Sequence, residues 1–430
     1  MPRHEAQRGA GGPVFWKIVG AGAAFQAGSS AVDSATVVAS LVNHLTGSVY
    51  AVGAASAVLR LGWLLPQLVV GFIAQHSGRR MPFYVAGAFG RAGCLALVAM
   101  LLAAAGEPAA AWAAGGFLVF WTLYAFVSGI VAVPYNDIVG RSIPSDARSR
   151  MLAWRFFGGG MLALGVAAVV HRLLATGSML AAHALIFALA SALMFISAIS
   201  FVSAGEPPTP VAAGGTPSGF RRFLAGGLDV LRSDVRFRLF LYTQWLGGAA
   251  LMALPFYIVL ASRLGMGVEA VGILLGAQTV GSLASNALWG LIGDRFGKLA
   301  LLQTVGALRL VPPLGAIAIA AGGFWPWPTL VAFAALFVAI GALVNGMTIG
   351  YLGFLMEISP NELRSAYSAY FNAFASPAAL LPLAGAAIAD TLSLEAVFAV
   401  AASAAMVQLV LYARLSRAGD RRCGSGCGAA

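Results

Sequence analysis

Four charged residues fall near the middle of long apolar runs: Asp33, Arg60, Arg91 and Arg309. A charge in such a run is costly to hold away from water and is usually functional. Asp33 is the only acid well inside any run. Gln26, Ser29, Thr36 and Ser40 surround it at steps of three and four, so on one continuous helix the five form a single polar stripe. That stripe is expected to line a watery cavity. A carboxylate there can load and release a proton as its surroundings change, because burial favours the neutral acid and a nearby arginine favours the charged one. Two other roles fit the same residue: substrate binding without proton transfer, or a permanent ion pair with Arg60 or Arg91.

Arg60 lies in Val58-Leu-Arg60-Leu-Gly-Trp63-Leu-Leu-Pro66-Gln67. Trp63 and Gln67 follow at helical steps, giving a cation, an indole and an amide on one face. Its counterpart in the second half of the chain falls near Gln278, so Arg60 is unrepeated and a candidate for substrate contact. Arg91 and Arg309 do correspond, each following its loop glycine, Gly78 or Gly297, at nearly the same distance. Their repetition argues for a shared structural job, with substrate contact as the other reading, more for Arg91 than for Arg309. Buried amides need partners. Gln244 and Gln278 are expected to face the cavity from the second half, while most of the others, Asn286, Asn345 and Asn372 among them, are expected to bond helix to helix. The substrate-binding set is therefore Gln26, Arg60, Trp63, Gln67, Arg91, Gln244 and Gln278, with Asp33 as the proton-coupling residue.

Nothing points to catalysis. The chain shows no glycine-rich phosphate loop with lysine, no histidine pair at metal-ligand spacing and no serine elbow. No cofactor and no metal are expected. Cys94 lies in an apolar run, and Cys423 and Cys427 have no histidine or further cysteine near them.

The elements that must carry these residues are membrane helices. Of 430 residues 60% are hydrophobic and only 10% charged, against roughly a quarter charged in soluble domains. Apolar runs long enough to cross a bilayer recur throughout. Twelve spans are expected, at about 15–41, 49–74, 82–105, 111–137, 151–175, 180–203, 237–262, 269–292, 299–322, 329–357, 366–389 and 394–415. The net charge of +11 resides in short loops rather than on a soluble face, which excludes nucleic acid as a partner. Alternate loops hold nearly all of it, including Arg79, Arg80, Arg141, Arg148, Arg150, Arg295, Lys298 and Arg364. By the positive-inside rule these loops and both termini are cytoplasmic.

The longest connection is rich in Pro and Gly and then turns amphipathic, with apolar residues at 220, 223, 224, 228 and 231. It reads either as a helix lying on the membrane surface or as an extension of the seventh span. The expected division is an N-terminal six-helix bundle at 1–204, a linker at 205–236, a C-terminal six-helix bundle at 237–416 and a tail at 417–430.

Two loop patterns repeat between the halves. Gly71-Phe-Ile-Ala-Gln75-His-Ser-Gly78-Arg79-Arg80 returns as Gly290-Leu-Ile-Gly-Asp294-Arg295-Phe-Gly297-Lys298, and Pro144-Ser-Asp146-Ala-Arg148 returns as Pro360-Asn-Glu362-Leu-Arg364. Together they indicate a duplicated six-helix unit. With twelve spans, a long central loop and the pattern Gly-x-x-x-Asp-Arg-x-Gly-Arg/Lys, the chain resembles the major facilitator superfamily over nearly its whole length. The resemblance implies an all-α membrane protein of two pseudo-symmetric six-helix bundles. It also implies that loop acids and arginines pair at helix ends to hold one state of an alternating-access cycle. Carried over, the gating set is Gln75, Arg79, Arg80, Asp137, Asp294, Arg295, Lys298 and Glu357. Gln75 departs from the family's Asp and cannot form the ion pair, so the stronger latch is expected in the second half, and Asp137 is expected to meet Arg79 or Arg80 instead. The Gly-Pro motif of many drug exporters is missing from the fifth span, and only Glu206-Pro-Pro remains of the motif that follows the sixth span in sugar transporters.

The expected function is a monomeric secondary transporter of the inner membrane. It would use protons and move a small organic molecule, with efflux as the leading direction. Uptake of a small organic anion, or a non-transporting membrane assembly factor on the same fold, are the alternatives.

Overall fold

The computed structural model describes residues 12–75, 79–106, 111–208, 220–322, 329–359 and 364–426, and among these there are helices and no strands. In chain order the helices are α1 (Pro13–Ala31), α2 (Val37–Thr46), α3 (Val49–Gln75), α4 (Met81–Ala105), α5 (Ala111–Ser142), α6 (Ser145–Thr176) and α7 (Met179–Val202). They continue with α8 (Phe220–Ser233), α9 (Val235–Leu251), α10 (Leu254–Arg263), α11 (Ala270–Arg295), α12 (Lys298–Leu308) and α13 (Val311–Ala320). The last are α14 (Thr329–Ile358), α15 (Arg364–Ala375), a 3-10 turn at Ser376–Leu380, α16 (Leu381–Thr391) and α17 (Leu394–Gly426).

Eleven segments among the described residues are long and apolar enough to cross a membrane. The expected first span is not among them, and it is interrupted at residues 32–36 between α1 and α2. The polar stripe through Asp33 is therefore not one continuous helix face. Three further spans are interrupted in the second half, each next to proline: before Pro255, before Pro312 and Pro313, and around Pro377 and Pro382. Proline lacks the N–H that would continue the helix and is favoured in the first turn of the helix that follows. The amphipathic segment forms a helix of its own, α8. It ends before Asp234, whose carboxylate accepts from the N–H groups of Arg236 and Phe237 at 2.9 and 3.1 Å and so caps α9.

Two compact units emerge, one of residues 1–217 with 266–279, the other of 218–265 with 280–430. In the first, α4 packs on α5 and α7, α3 on α5, and α1 on α6 and α7. The α3–α5 contact depends on small residues: a Cβ on Gly129 would strike the carbonyl of Gly62. Trp121 is wholly buried and donates its indole N–H to the Ala55 carbonyl at 2.9 Å. Ser191 and Ser197 tie α7 to the carbonyls of Ala92 and Ala21 at 2.8 and 2.7 Å. An aromatic cluster of Tyr84, Tyr135 and Phe201 fills one end.

In the second unit α17 packs on α9, α12 and α13, and α14 on α12 and α13. Its core gathers Phe237, Phe240, Trp289, Phe354, Phe371 and Tyr412. The expected helix-to-helix amide bonds are present: Asn345 donates to Asn286 and to the Ser282 carbonyl, and Asn372 accepts from the Tyr351 hydroxyl at 2.9 Å.

Candidate functional site

The break in the first span is made by Asp33 itself. No proline or glycine occupies residues 32–36. One carboxylate oxygen, Oδ1, accepts from the N–H groups of Ala35 and Thr36, both at 3.0 Å, and from the Thr36 hydroxyl at 2.9 Å. Aspartate favours such local turns because its short side chain reaches its own backbone two and three residues on. The other oxygen, Oδ2, faces the side-chain N–H of Gln278 at 3.5 Å, and Gln278 belongs to the part of α11 that clusters with the first unit. The Gln278 carbonyl oxygen is buried with no partner. Two residues chosen from sequence are thus brought together at an interrupted helix, one carboxylate oxygen committed to the fold and the other to a single amide.

The rest of the first-half set is more scattered. Gln26 is half-buried against Gly159 of α6, and its carbonyl oxygen has no partner. Arg91 is buried, its guanidinium 4.4 Å from the centre of the Phe25 ring, so its charge is met by an aromatic face. Arg60 is half-buried and Trp63 is exposed. Gln67 donates back to the Trp63 carbonyl at 2.7 Å, so part of its amide serves its own helix.

At the loop end of the same unit, four charged residues meet. Arg141 reaches Asp137 at 2.7 Å and Glu206 at 3.0 Å, and Arg80 lies 3.6 Å from Asp137. The meeting of Asp137 with Arg80 follows the sequence reading. Glu206 was not in it. Its carboxylate accepts from the backbone N–H groups of Arg80 and Met81 at 2.8 and 2.9 Å, capping the N-terminus of α4, where a negative charge is favoured. Burial pushes the Glu206 carboxyl up, but these two N–H bonds and the Arg141 guanidinium outweigh it and hold the group below the ordinary glutamate range. Arg79 is exposed. The side chain of Gln75 lies outside the described residues.

The second loop is simpler. Asp294 pairs with Lys298 of its own loop at 3.0 Å and is largely exposed. Gly297 holds φ at +88°, a conformation that favours glycine and turns the chain into α12. Arg295 stacks on its neighbour Phe296 at 5.7 Å. Glu357 is exposed, and the charges acting on it are those of Lys298 and Arg236. Among the described residues the denser charge network is in the first half, where Gln75 replaces the family's loop acid. Glu206, distant in sequence, supplies the carboxylate there.

Gln244 sits on α9 with its side-chain N–H group buried and without a partner. It lines a cavity in the second unit together with Arg309. Sequence reasoning missed Gln408, whose carbonyl oxygen is 3.3 Å from that arginine and whose N–H group bonds the Thr243 carbonyl and the Tyr412 hydroxyl. An amide in the middle of the last apolar run was the available signal for Gln408. It also missed Arg155, which donates to the Tyr135 hydroxyl at 3.1 Å and packs against Gly22, because it lies close to an expected span boundary.

Comparison with known proteins agrees with this architecture. Residues 18–379 match the family model of the Major Facilitator Superfamily. Uncharacterized proteins of Mycobacterium bovis and Mycobacterium tuberculosis are 22% identical over 367 residues, covering 85% of this chain and 70% of theirs. Among solved structures, a bacterial homologue of the iron transporter ferroportin in its inward-facing state gives a TM-score of 0.68 at 14% identity, covering 94% of this chain and 98% of that one. The nucleoside transporter NupG gives 0.64 at 13% identity over 94% and 98%. The xylose transporter XylE from E. coli gives 0.64 at 13% identity over 94% and 98%. These structures share the fold. The family match places the chain in the major facilitator superfamily, a family of transporters rather than enzymes.

Proposed function

We propose that this member of the major facilitator superfamily moves a small organic molecule across the inner membrane by alternating access, coupled to protons through Asp33. The observation that carries the reading is the division of labour within the Asp33 carboxylate. Oδ1 is held by three donors of its own turn, while among the described residues Oδ2 has only the Gln278 amide, at 3.5 Å. A proton arriving at Asp33 would therefore settle on Oδ2. The resulting O–H needs an acceptor, and the Gln278 carbonyl oxygen has none. Half a turn of the amide exchanges the two arrangements: N–H donating to the carboxylate, or carbonyl accepting from the acid. Gln278 can thus accommodate both protonation states of Asp33, as a coupling site requires.

The interrupted helix supports the same reading. Non-helical backbone at membrane depth is tolerated where it is buried in protein or lines a cavity, and broken helices recur at transporter binding sites. Loop arginines on alternate connections support an orientation with both termini cytoplasmic.

The test uses the full chain in proteoliposomes with a trapped pH indicator, challenged with a panel of small organic acids, bases and neutral compounds. At least one compound is expected to drive a proton signal in the wild-type protein that Asp33→Asn abolishes and Gln278→Leu weakens. A compound-driven signal that persists in Asp33→Asn would remove Asp33 from the coupling step.

A further inference from the structure

Among the described residues, the second unit holds a buried cation with no counter-charge beside it. Arg309 is 5% exposed and lies at the break between α12 and α13. One of its terminal nitrogens, Nη1, is 3.3 Å from the Gln408 carbonyl oxygen. Nε and Nη2 have no acceptor among the described residues. The equivalent position in the first half, Arg91, is met by the face of Phe25, and no ring takes that part at Arg309 among the described residues. A buried guanidinium keeps its charge and needs a partner.

Two cavities touch this arginine. One, of about 30 Å³, has room for water and little else. The other, of about 340 Å³, is within the range of small-molecule sites. Its lining includes Gln244, whose N–H group is also buried without an acceptor, beside the apolar and aromatic groups of Leu251, Met347 and Phe371. Among the described residues no carboxylate lines it. It therefore combines one uncompensated cation, spare N–H donors and an apolar wall.

From this we infer that the 340 Å³ cavity binds the anionic end of the cargo, an organic carboxylate with an apolar or aromatic body, through Arg309 and Gln244. The inference rests on the reading of the chain as a transporter of small organic molecules, and it names the chemical class of the molecule. The carboxylate would accept from the unused Arg309 nitrogens and from Gln244, and the apolar body would lie against Met347 and Phe371. Gly247 makes this possible: a Cβ there would come within 2.9 Å of Nη1 of Arg309 and of the Gln408 amide nitrogen.

The probe is 2-naphthoate, with 2-naphthamide as its neutral isostere and 2-naphthylmethylamine as its cationic analogue. Binding to the purified full chain is read by thermal shift and titration calorimetry. Naphthoate is expected to stabilise the protein and the other two are not. Arg309→Gln is expected to weaken naphthoate binding about tenfold or more, the effect of losing a charged hydrogen bond, and Arg309→Lys to recover part of it. If Arg309→Gln does not fold, Gln244→Leu and Gly247→Ala carry the test, since each disturbs the site while keeping the charge, and each is expected to weaken naphthoate binding. Equal binding of naphthoate and naphthamide, no binding of either, or naphthoate binding unchanged in the folded variants would overturn the inference. Asp33→Asn separates it from the proton reading, because naphthoate binding is expected to survive that substitution. Arg309-dependent binding without compound-driven proton movement would sink the coupling and leave the anion site standing. Coupling without carboxylate preference would do the reverse.

Discussion

Asp33 combines a structural task and a proposed chemical one, and substitution can separate them. Asparagine keeps the oxygen that accepts from Ala35 and Thr36 but cannot take up a proton, so Asp33→Asn is expected to unfold within about 0.5 kcal/mol of wild type while losing the proton signal. Leucine keeps neither. Asp33→Leu leaves the N–H groups of Ala35 and Thr36 unbonded at the start of α2 and is expected to cost about 1–2 kcal/mol, read as a lowered midpoint in detergent. A stability loss in Asp33→Asn as large as that in Asp33→Leu would mean that the charge, not the oxygen, holds the turn. The acid was legible in the sequence because a lone carboxylate in an apolar run stands out. Its turn was not, because counting steps of three and four assumes the helix continues, and no proline or glycine marks the interruption.

Interrupted helices are the main feature at the scale of elements. Those marked by Pro255, Pro312, Pro313, Pro377 and Pro382 follow from a missing N–H. The start of α4 was legible to within a residue, but its cap was not, because the cap comes from Glu206, beyond the end of α7. Bringing those segments together takes the packing of α4 on α7, which no local pattern reports. The capping interaction has a defined pH dependence. The folded Glu206 carboxyl titrates below the ordinary value of 4.5, so the unfolded chain binds its proton first as pH falls. The stability it contributes is fully present above that value and is lost as pH drops through the folded one. Thermal midpoints of wild type and Glu206→Gln measured from neutral pH down to about pH 3.5 are expected to converge on the acid side. Parallel curves over that range would show that the charge of Glu206 contributes nothing.

For the molecule as a whole, the repeat visible in two loop patterns identified the duplication and the family, but the halves have diverged in how they use equivalent positions. Arg91 rests on Phe25, while Arg309 faces a cavity with its charge unmet. The first loop lacks its acid, yet its Arg80 is one of four paired charges, and the second keeps its exposed acid in a single pair with Lys298. The loop patterns lead to the expectation of a stronger latch in the second half, but a loop pattern contains only its own residues and does not report Glu206. The two halves can be weighed directly. Asp294→Ala removes an exposed pair four residues apart and is expected to cost less than about 0.5 kcal/mol, falling further in high salt. Glu206→Ala leaves the N–H groups of Arg80 and Met81 without their cap and takes one of two carboxylates from Arg141, so it is expected to cost about 1–3 kcal/mol. The sites share no residue, so the double variant should lose close to the sum of the two. Thermal or denaturant unfolding of the three variants gives the order, and an Asp294→Ala loss equal to or above that of Glu206→Ala would restore the second loop as the stronger of the pair.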